Sequence, residues 1–426
     1  MKRSRAITLV AIAALAATGA FAQSSVTMSG YFDRGYTVTD NTNNLRDAKA
    51  FSSSAGTTTV TIRGTEDLGG GLKANFFVGT DWAEAAGQTQ DGTAPTLGVG
   101  GFGNAQSYID LSDANLGTLR FGNPNSEVLT AVTSVASPAF STGVGSAYST
   151  NFSIHNGFGT GATGSNNVFA NSVIGTGDAA IATNAGQRQI RQGNTIKLIS
   201  PTYSGFGATY AKVMKNAPAG AATTSSITNN QGTTDVVGVD EYSFSYAQGP
   251  LSAVYATTKV SVGANGSGLL ANNSTSNGSQ LSANSSTTMS ILGASYQVLP
   301  VLKLHAGVGR SSNKNQTAIA PIDAAGTATA AGKSSGTGTV AFTSSSQFGV
   351  TYNLTPTIDL MAQMVKVDDK STTNTDRKLT GLGADYKFSK TTRAYVRYDS
   401  INYASNLAAS TGTEQKRTAF GISTSF

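Results

Sequence analysis

The stretch Thr57–Trp82, TTTVTIRGTEDLGGGLKANFFVGTDW, constrains the fold more than any other part of the chain. On its first arm Val60, Ile62 and Gly64 share one phase and Thr61, Arg63 and Thr65 the other, which is the period-two alternation of a strand that is apolar on one side only. On the return arm Leu72, Ala74, Phe76 and Val78 oppose Lys73, Asn75, Phe77 and Gly79. The acidic turn Glu66–Gly71 between the arms ends in three glycines, which supply the positive φ that a tight reversal needs. The unit is an antiparallel hairpin with two unlike faces.

Energies decide which face meets water. In a soluble sandwich the apolar faces would share a core, whereas in a membrane barrel they meet lipid and the polar faces line a lumen. Arg63 and Lys73 lie mid-strand, and a lipid-facing Arg or Lys at bilayer depth costs about 2–4 kcal/mol. Both are therefore expected to face inward.

At the N-terminus Lys2, Arg3 and Arg5 precede the apolar run Ala6–Ala17 and then Ala20-Phe21-Ala22, the pattern of a secretory signal peptide over residues 1–22. That run falls short of the roughly 20 apolar residues a spanning helix needs, so the mature chain is expected to be 23–426. Without the three leader cations, the 29 Lys+Arg fall to 26 against 23 Asp+Glu, and charge gives no argument for a nucleic-acid partner. The absence of cysteine excludes a disulfide framework, thiolate chemistry and a cysteine metal site. Mean hydropathy of −0.12 and 12% charged residues suit a soluble protein equally well, so the alternation decides.

The first strand is expected over Val26–Asp40, with Arg34 in its lipid-side phase and so best placed at the outer rim, followed by a polar loop Asn41–Gly56. After the hairpin, strands are read near Ser107–Ser112 and Gly117–Gly122, joined by the turn Asp113–Leu116; Arg120 falls on the same kind of face as Arg63. Asn123–Gln187 is a connection of about 65 residues, long enough to be either functional or disordered. Its start, Asn123-Pro124-Asn125-Ser126-Glu127 with Leu129, Val132 and Val135 following, predicts a short helix.

Strand signals resume at Arg191–Ser200 and recur near Phe206–Lys215, Val236–Tyr246, Leu251–Ser261, Thr288–Val298, Val301–Arg310, Ser346–Leu354, Ile358–Val367, Lys378–Phe388, Arg393–Ile401 and Arg417–Phe426. Sixteen strands of about 10 residues, with short and long connections alternating, predict an all-β, 16-stranded antiparallel transmembrane β-barrel. Phe348, Tyr352, Tyr386, Phe388, Phe420 and Phe426 occupy the apolar phases and suit interfacial girdles.

No enzymatic constellation stands out. Two G-x-G-x-x-G matches, Gly98–Gly103 and Gly159–Gly164, lie at no strand-to-helix junction and read as chance in a chain with 49 glycines. His155 and His305 are the only histidines and form no metal-binding spacing, so no cofactor, metal or catalytic residue is expected. A β-solenoid would need a fixed repeat, which irregular connections do not give.

The motifs SSVTMSGYFDRGY, RGTEDLGGGLKANF, DLSDANLGTLRFGNPN, NTIKLISPTYSGFGATYA, LGADYKFSK and the terminal AFGISTSF resemble those of the general diffusion porins of Gram-negative outer membranes, betaproteobacterial type. The resemblance implies a homotrimer embedded in outer-membrane lipid and lipopolysaccharide, passing small hydrophilic solutes and ions passively. It implies that the third external loop, Asn123–Gln187, folds inward as a constriction, and that the C-terminal strand is read by the outer-membrane assembly machinery. The wall cations it matches are Arg63, Arg120 and Arg191, with Arg188 just before that strand and Lys197 lower on it; the loop acid is Glu127. The loop carries only Glu127 and Asp178 as acids and no Lys or Arg, which predicts a preference for anions. A solute-selective porin is the alternative, and an outer-membrane enzyme a remoter one. Each arginine could equally be a wetted lumen residue, and Glu127 could simply complement a helix N-terminus.

Overall fold

The computed structural model describes residues 25–42, 48–81, 103, 105–140, 142–147, 195–213, 237–262, 286–314, 339–369, 376–404 and 413–426. The leader over 1–22, both G-x-G-x-x-G stretches save Gly103, His155, Asp178, Arg188 and Arg191 lie outside them. Before the long connection run β1 Ser25–Asn41, β2 Ala48–Ser52, β3 Thr59–Gly69, β4 Leu72–Asp81, β5 Ser107–Asp113 and β6 Gly117–Asn123. After it come β7 Thr195–Ile199, β8 Phe206–Val213, β9 Val237–Gln248, β10 Leu251–Val262, β11 Ser286–Leu299 and β12 Leu302–Lys314. The last five are β13 Thr339–Thr355, β14 Ile358–Asp369, β15 Arg377–Lys387, β16 Thr392–Tyr403 and β17 Glu414–Ser425.

Neighbours in sequence are neighbours in one sheet, and β1 closes it by pairing antiparallel with β17 from Tyr31↔Ser425 to Asn41↔Gln415. The upper part of β1 pairs with β2 at Gly35–Thr39 and its lower part with β3 at Ser25–Tyr31. These two segments are halves of one stave, so the barrel has sixteen. The expected loop Asn41–Gly56 therefore contains half a stave. Its interruption at 53–58 has a local cause: the amides of Ala55 and Gly56 donate to the Asp33 carboxylate at 2.6 and 2.9 Å, and Tyr395 Oη donates to it at 2.5 Å. Asp33 is fully buried, and a carboxylate there needs these donors more than the ladder needs the chain.

Alternation sorts the side chains as the hairpin predicted. Tyr255, Leu292, Phe348, Met364 and Phe420 are exposed on the outer surface, while Ala256, Ile291, Gln347, Val365 and Ala419, one position away, are buried. The six aromatics expected for girdles are all exposed. Two details differ from expectation. β3 continues through Glu66–Gly69 with an irregularity in register, so the reversal is confined to Gly70 and Gly71, and all three glycines have positive φ. Arg34 is outward and exposed, but its partner is Ile422, four residues from the C-terminus, which puts it within the apolar band rather than at a rim.

The long connection enters the barrel. Ser126 caps the short helix α1 (Glu127–Ala131) by accepting from the Leu129 amide at 3.1 Å, and one π-turn, Val132–Ala136, continues it. Val128, Ala131, Val132 and Ala136 pack on Val254, Ala256, Ile291 and Val365 of the inner wall. The π-turn sits on a glycine seat. Gly293 and Gly307 are direct cross-strand partners, and a Cβ at either would stand 2.6 or 2.9 Å from the Ala136 Cβ. Overpacking such a contact costs about 1–3 kcal/mol. Gly307→Val is expected to displace the segment and raise single-channel conductance in a planar bilayer while the β circular-dichroism spectrum is kept; unchanged conductance would show that this seat does not hold it.

Candidate functional site

From its anchor the inward segment follows the wall. Ser137 Oγ donates to Gln363 Oε1 on β14 at 2.5 Å, the Gln363 side-chain amide donates to the Gly145 carbonyl, and the Gly145 amide donates to Asp399 on β16 at 2.7 Å. The Val144 amide reaches the Ser54 carbonyl at 2.7 Å, and Thr142 meets Thr57 at 2.7 Å. Its described part thus lines the wall from β7 round to the break beside β3. The wall of β3–β6 lies beyond this run of contacts.

Phase and register furnish that wall. Arg63 opposes Phe77, Phe77 opposes Tyr108, and Asp110 opposes Arg120, all on the inward phase. The side chains stack in order: the Arg63 guanidinium lies 4.9 Å from the Phe77 ring, Phe77 and Tyr108 stack at 5.0 Å and 11°, and the Arg120 guanidinium lies 3.7 Å from the Tyr108 ring. Each cation–π contact stabilises the row by about 0.5–1 kcal/mol at such exposure. Arg120 is also gripped by Asp110 through two parallel hydrogen bonds of 2.8 and 2.9 Å, a bidentate geometry that fixes the guanidinium plane and offsets its charge. Arg63 is exposed, and among the described residues its charge is not matched by a carboxylate.

Lys197 and Glu127 are brought together, but under the segment. They form a buried ion pair at 2.6 Å, with side chains 5% and 10% exposed. Lys197 Nζ also donates to the Asn125 carbonyl at 2.8 Å, and Ser243 Oγ donates to the second Glu127 oxygen. Glu241 accepts from the Glu127 amide at 3.2 Å and from Thr258 Oγ1 at 3.1 Å. The group fastens α1 to β7, β9 and β10. On the far side Arg393 and Arg397 meet Asp385 at 3.0 and 2.6 Å, and Arg417 meets Asp399 at 2.5 Å. His305 is buried against the segment, its Nδ1 3.3 Å from the Ala136 carbonyl.

Asp110, Phe77 and Tyr108 belong to the row although the sequence did not single them out. The signal was present: the short turns after Gly69 and Asp113 fix both registers, placing Phe77 opposite Arg63 and Asp110 opposite Arg120. Asp399, Gln363 and Glu241 had no such signal, since their partners lie 254, 226 or 114 residues away.

A closed barrel with an apolar exterior, a charged interior and a segment folded along its inner wall is the wall of a membrane pore. The sequence model of the Gram-negative porins matches residues 8–406. The chain belongs to the Gram-negative porin family, which places it in the outer membrane. It is 39% identical over 137 residues to outer membrane porin protein 32 of Delftia acidovorans; the match covers 31% of this chain and 35% of that protein. Among solved structures, the anion-selective porin from Comamonas acidovorans superposes with a TM-score of 0.65 at 20% identity, covering 95% of this chain and 100% of that one. OmpF of Salmonella typhi gives 0.56 at 14% identity, covering 94% and 97%. The trimer form of OmpT from Vibrio cholerae gives 0.54 at 10%, covering 95% and 99%. These likenesses concern the fold.

Removing one member of a buried ion pair strands the other charge, at about 3–5 kcal/mol, whereas replacing both by apolar groups is often neutral. Lys197→Met is expected to lower stability by that amount in thermal unfolding in detergent, and adding Glu127→Leu to restore most of it; additive losses would show that the two are not coupled.

Proposed function

We propose that the barrel is a passive channel for small hydrophilic solutes that favours anions, with its narrow passage between the inward segment and the wall of β3–β6. The observation that carries this is the stacked row Arg63–Phe77–Tyr108–Arg120, which holds two guanidinium groups on rigid strands facing the lumen. Asp110 offsets Arg120, so Arg63 is the main source of field, and Arg188 and Arg191 add to it. Lys197 and Glu127 act by holding the segment in place and touch no solute. The Comamonas acidovorans porin, described as anion-selective, supports the reading, and a porin barrel serves as a conduit rather than an enzyme.

Residues 1–22 act as a leader, and 123–187 form the constriction. The working unit is a homotrimer, as in the trimer form of OmpT from Vibrio cholerae. Arg34 supports it: an outward cation inside the apolar band costs about 2–4 kcal/mol against lipid, and less where this face meets another copy. The final residue, Phe426, stacks on Phe32 with centroids 6.0 Å apart and gives the assembly machinery its terminal aromatic.

A unit charge about 7 Å from an ion in water is worth roughly 0.6 kcal/mol, a threefold effect on occupancy. Because the same charge draws in anions and repels cations, Arg63→Ala is expected to cut the anion-to-cation permeability ratio about sevenfold, read from the reversal potential in a salt gradient, and Arg63→Glu to move it further. Cation preference of the unaltered protein, or no change in either variant, would reject the proposal.

A further inference from the structure

Two aromatic rings sit in the wall of the passage, although drawing an anion needs only cations. Phe77 and Tyr108 are inward residues of neighbouring strands, half-buried, and stacked at 5.0 Å and 11°. Because they stack across the strands, their faces point along the row. The outer face of Phe77 is taken by the Arg63 guanidinium at 4.9 Å and that of Tyr108 by Arg120 at 3.7 Å. What stays open toward the lumen is the edges of the rings. Gly79, the next inward position on β4, leaves room for this, since a Cβ there would stand 3.0 Å from Phe77 Cε1. An aromatic edge carries the positive part of the ring quadrupole and pairs with the π-face of another ring.

The row has unlike ends. Asp110 grips Arg120 through two hydrogen bonds and offsets its charge, whereas Arg63 is exposed and matched by no carboxylate among the described residues. On the short-turn side of the rings, Thr65 donates to Asn75 at 3.0 Å and Asn75 to Ser112 at 2.9 Å, a neutral row whose polar groups are engaged with one another. An anion therefore meets its countercharge at the Arg63 end, and whatever it carries toward Tyr108 lies across two ring edges.

We propose that the wall of β3–β6 is a retention site for aromatic monocarboxylates, with the carboxylate at Arg63 and the solute's ring set edge-to-face on Phe77 and Tyr108. This deepens the anion-channel reading and rests on it. A saturated acid of the same charge meets the same cation but has no π-face to offer the ring edges. A dicarboxylate would bring its second charge toward Arg120, whose countercharge is already taken by Asp110. Burial alone would give the opposite order, because a saturated ring has the larger apolar surface.

The probes are benzoate and cyclohexanecarboxylate, alike in charge and close in size, each added at neutral pH to the protein in a planar bilayer. The readout is the concentration that halves the single-channel chloride conductance. Benzoate is expected to act at about fivefold lower concentration, the equivalent of one edge-to-face contact. The double variant Phe77→Leu, Tyr108→Leu is expected to lose that advantage, and Arg63→Gln to raise both concentrations together. Phe77→Leu alone, which leaves Tyr108, Arg120 and Asp110 in place, is expected to lose at least half of it, so the test does not depend on the double variant folding. Equal potency of the two acids on the unaltered protein, or an advantage for benzoate that the leucine variants keep, would overturn the proposal. The reversal potential in a chloride gradient, taken on the same channels, separates the two levels: anion preference with equal potency overturns this proposal alone, and cation preference overturns the reading beneath it as well.

Discussion

A backbone that crosses lipid must satisfy every N–H and C=O without water, and a sheet can do so only by closing on itself. Everything else in this molecule follows from that closure. β1 and β17 meet over eleven residue pairs, and the Phe426 carbonyl still bonds the Gly30 amide beyond them, as the Phe426 amide bonds the Gly30 carbonyl. Between β2 and β3 the ladder opens, and the gap is filled by the carboxylate of Asp33 and the hydroxyl of Tyr395. With the backbone satisfied, the side chains are free to be inverted relative to a soluble protein.

That inversion leaves an interior wide enough to need filling, and the inward segment fills it selectively. Against it lie buried pairs: Glu127 with Lys197, Asp385 with Arg397, Asp399 with Arg417. Buried pairs contribute little net stability, yet removing one partner costs a great deal. They therefore fix where the segment lies rather than how strongly the barrel holds together. The row from Arg63 to Arg120 is different, because its cations rest on aromatic faces and keep an open side.

Much of this arrangement could be read in the chain. The number of staves, the inward phase of Arg63 and Arg120, and the short helix after Ser126 follow from alternation and capping residues. The half-stave Ala48–Ser52 was hidden because five residues are too few to show a period, and because what sets its end is Asp33, on another stave. The strands also run further toward the long connections than expected, β13 starting at Thr339 rather than Ser346. Beyond the lipid, outward residues need not be apolar, so the period fades while the hydrogen bonds continue. The anchoring of Glu127 was out of reach for a related reason: its partners Lys197 and Ser243 lie 70 and 116 residues away, and only closure brings them together.

The inside-out arrangement is tested most directly at two adjacent positions. The chain has no cysteine, so Ile62→Cys and Arg63→Cys each give a single reactive thiol. With the protein in lipid vesicles, a charged, membrane-impermeant thiol reagent is expected to modify position 63 and spare 62, while a lipid-dissolved reagent labels 62 and spares 63. The reverse pattern would contradict the structure, because it would put the cationic row against hydrocarbon and the apolar row against water.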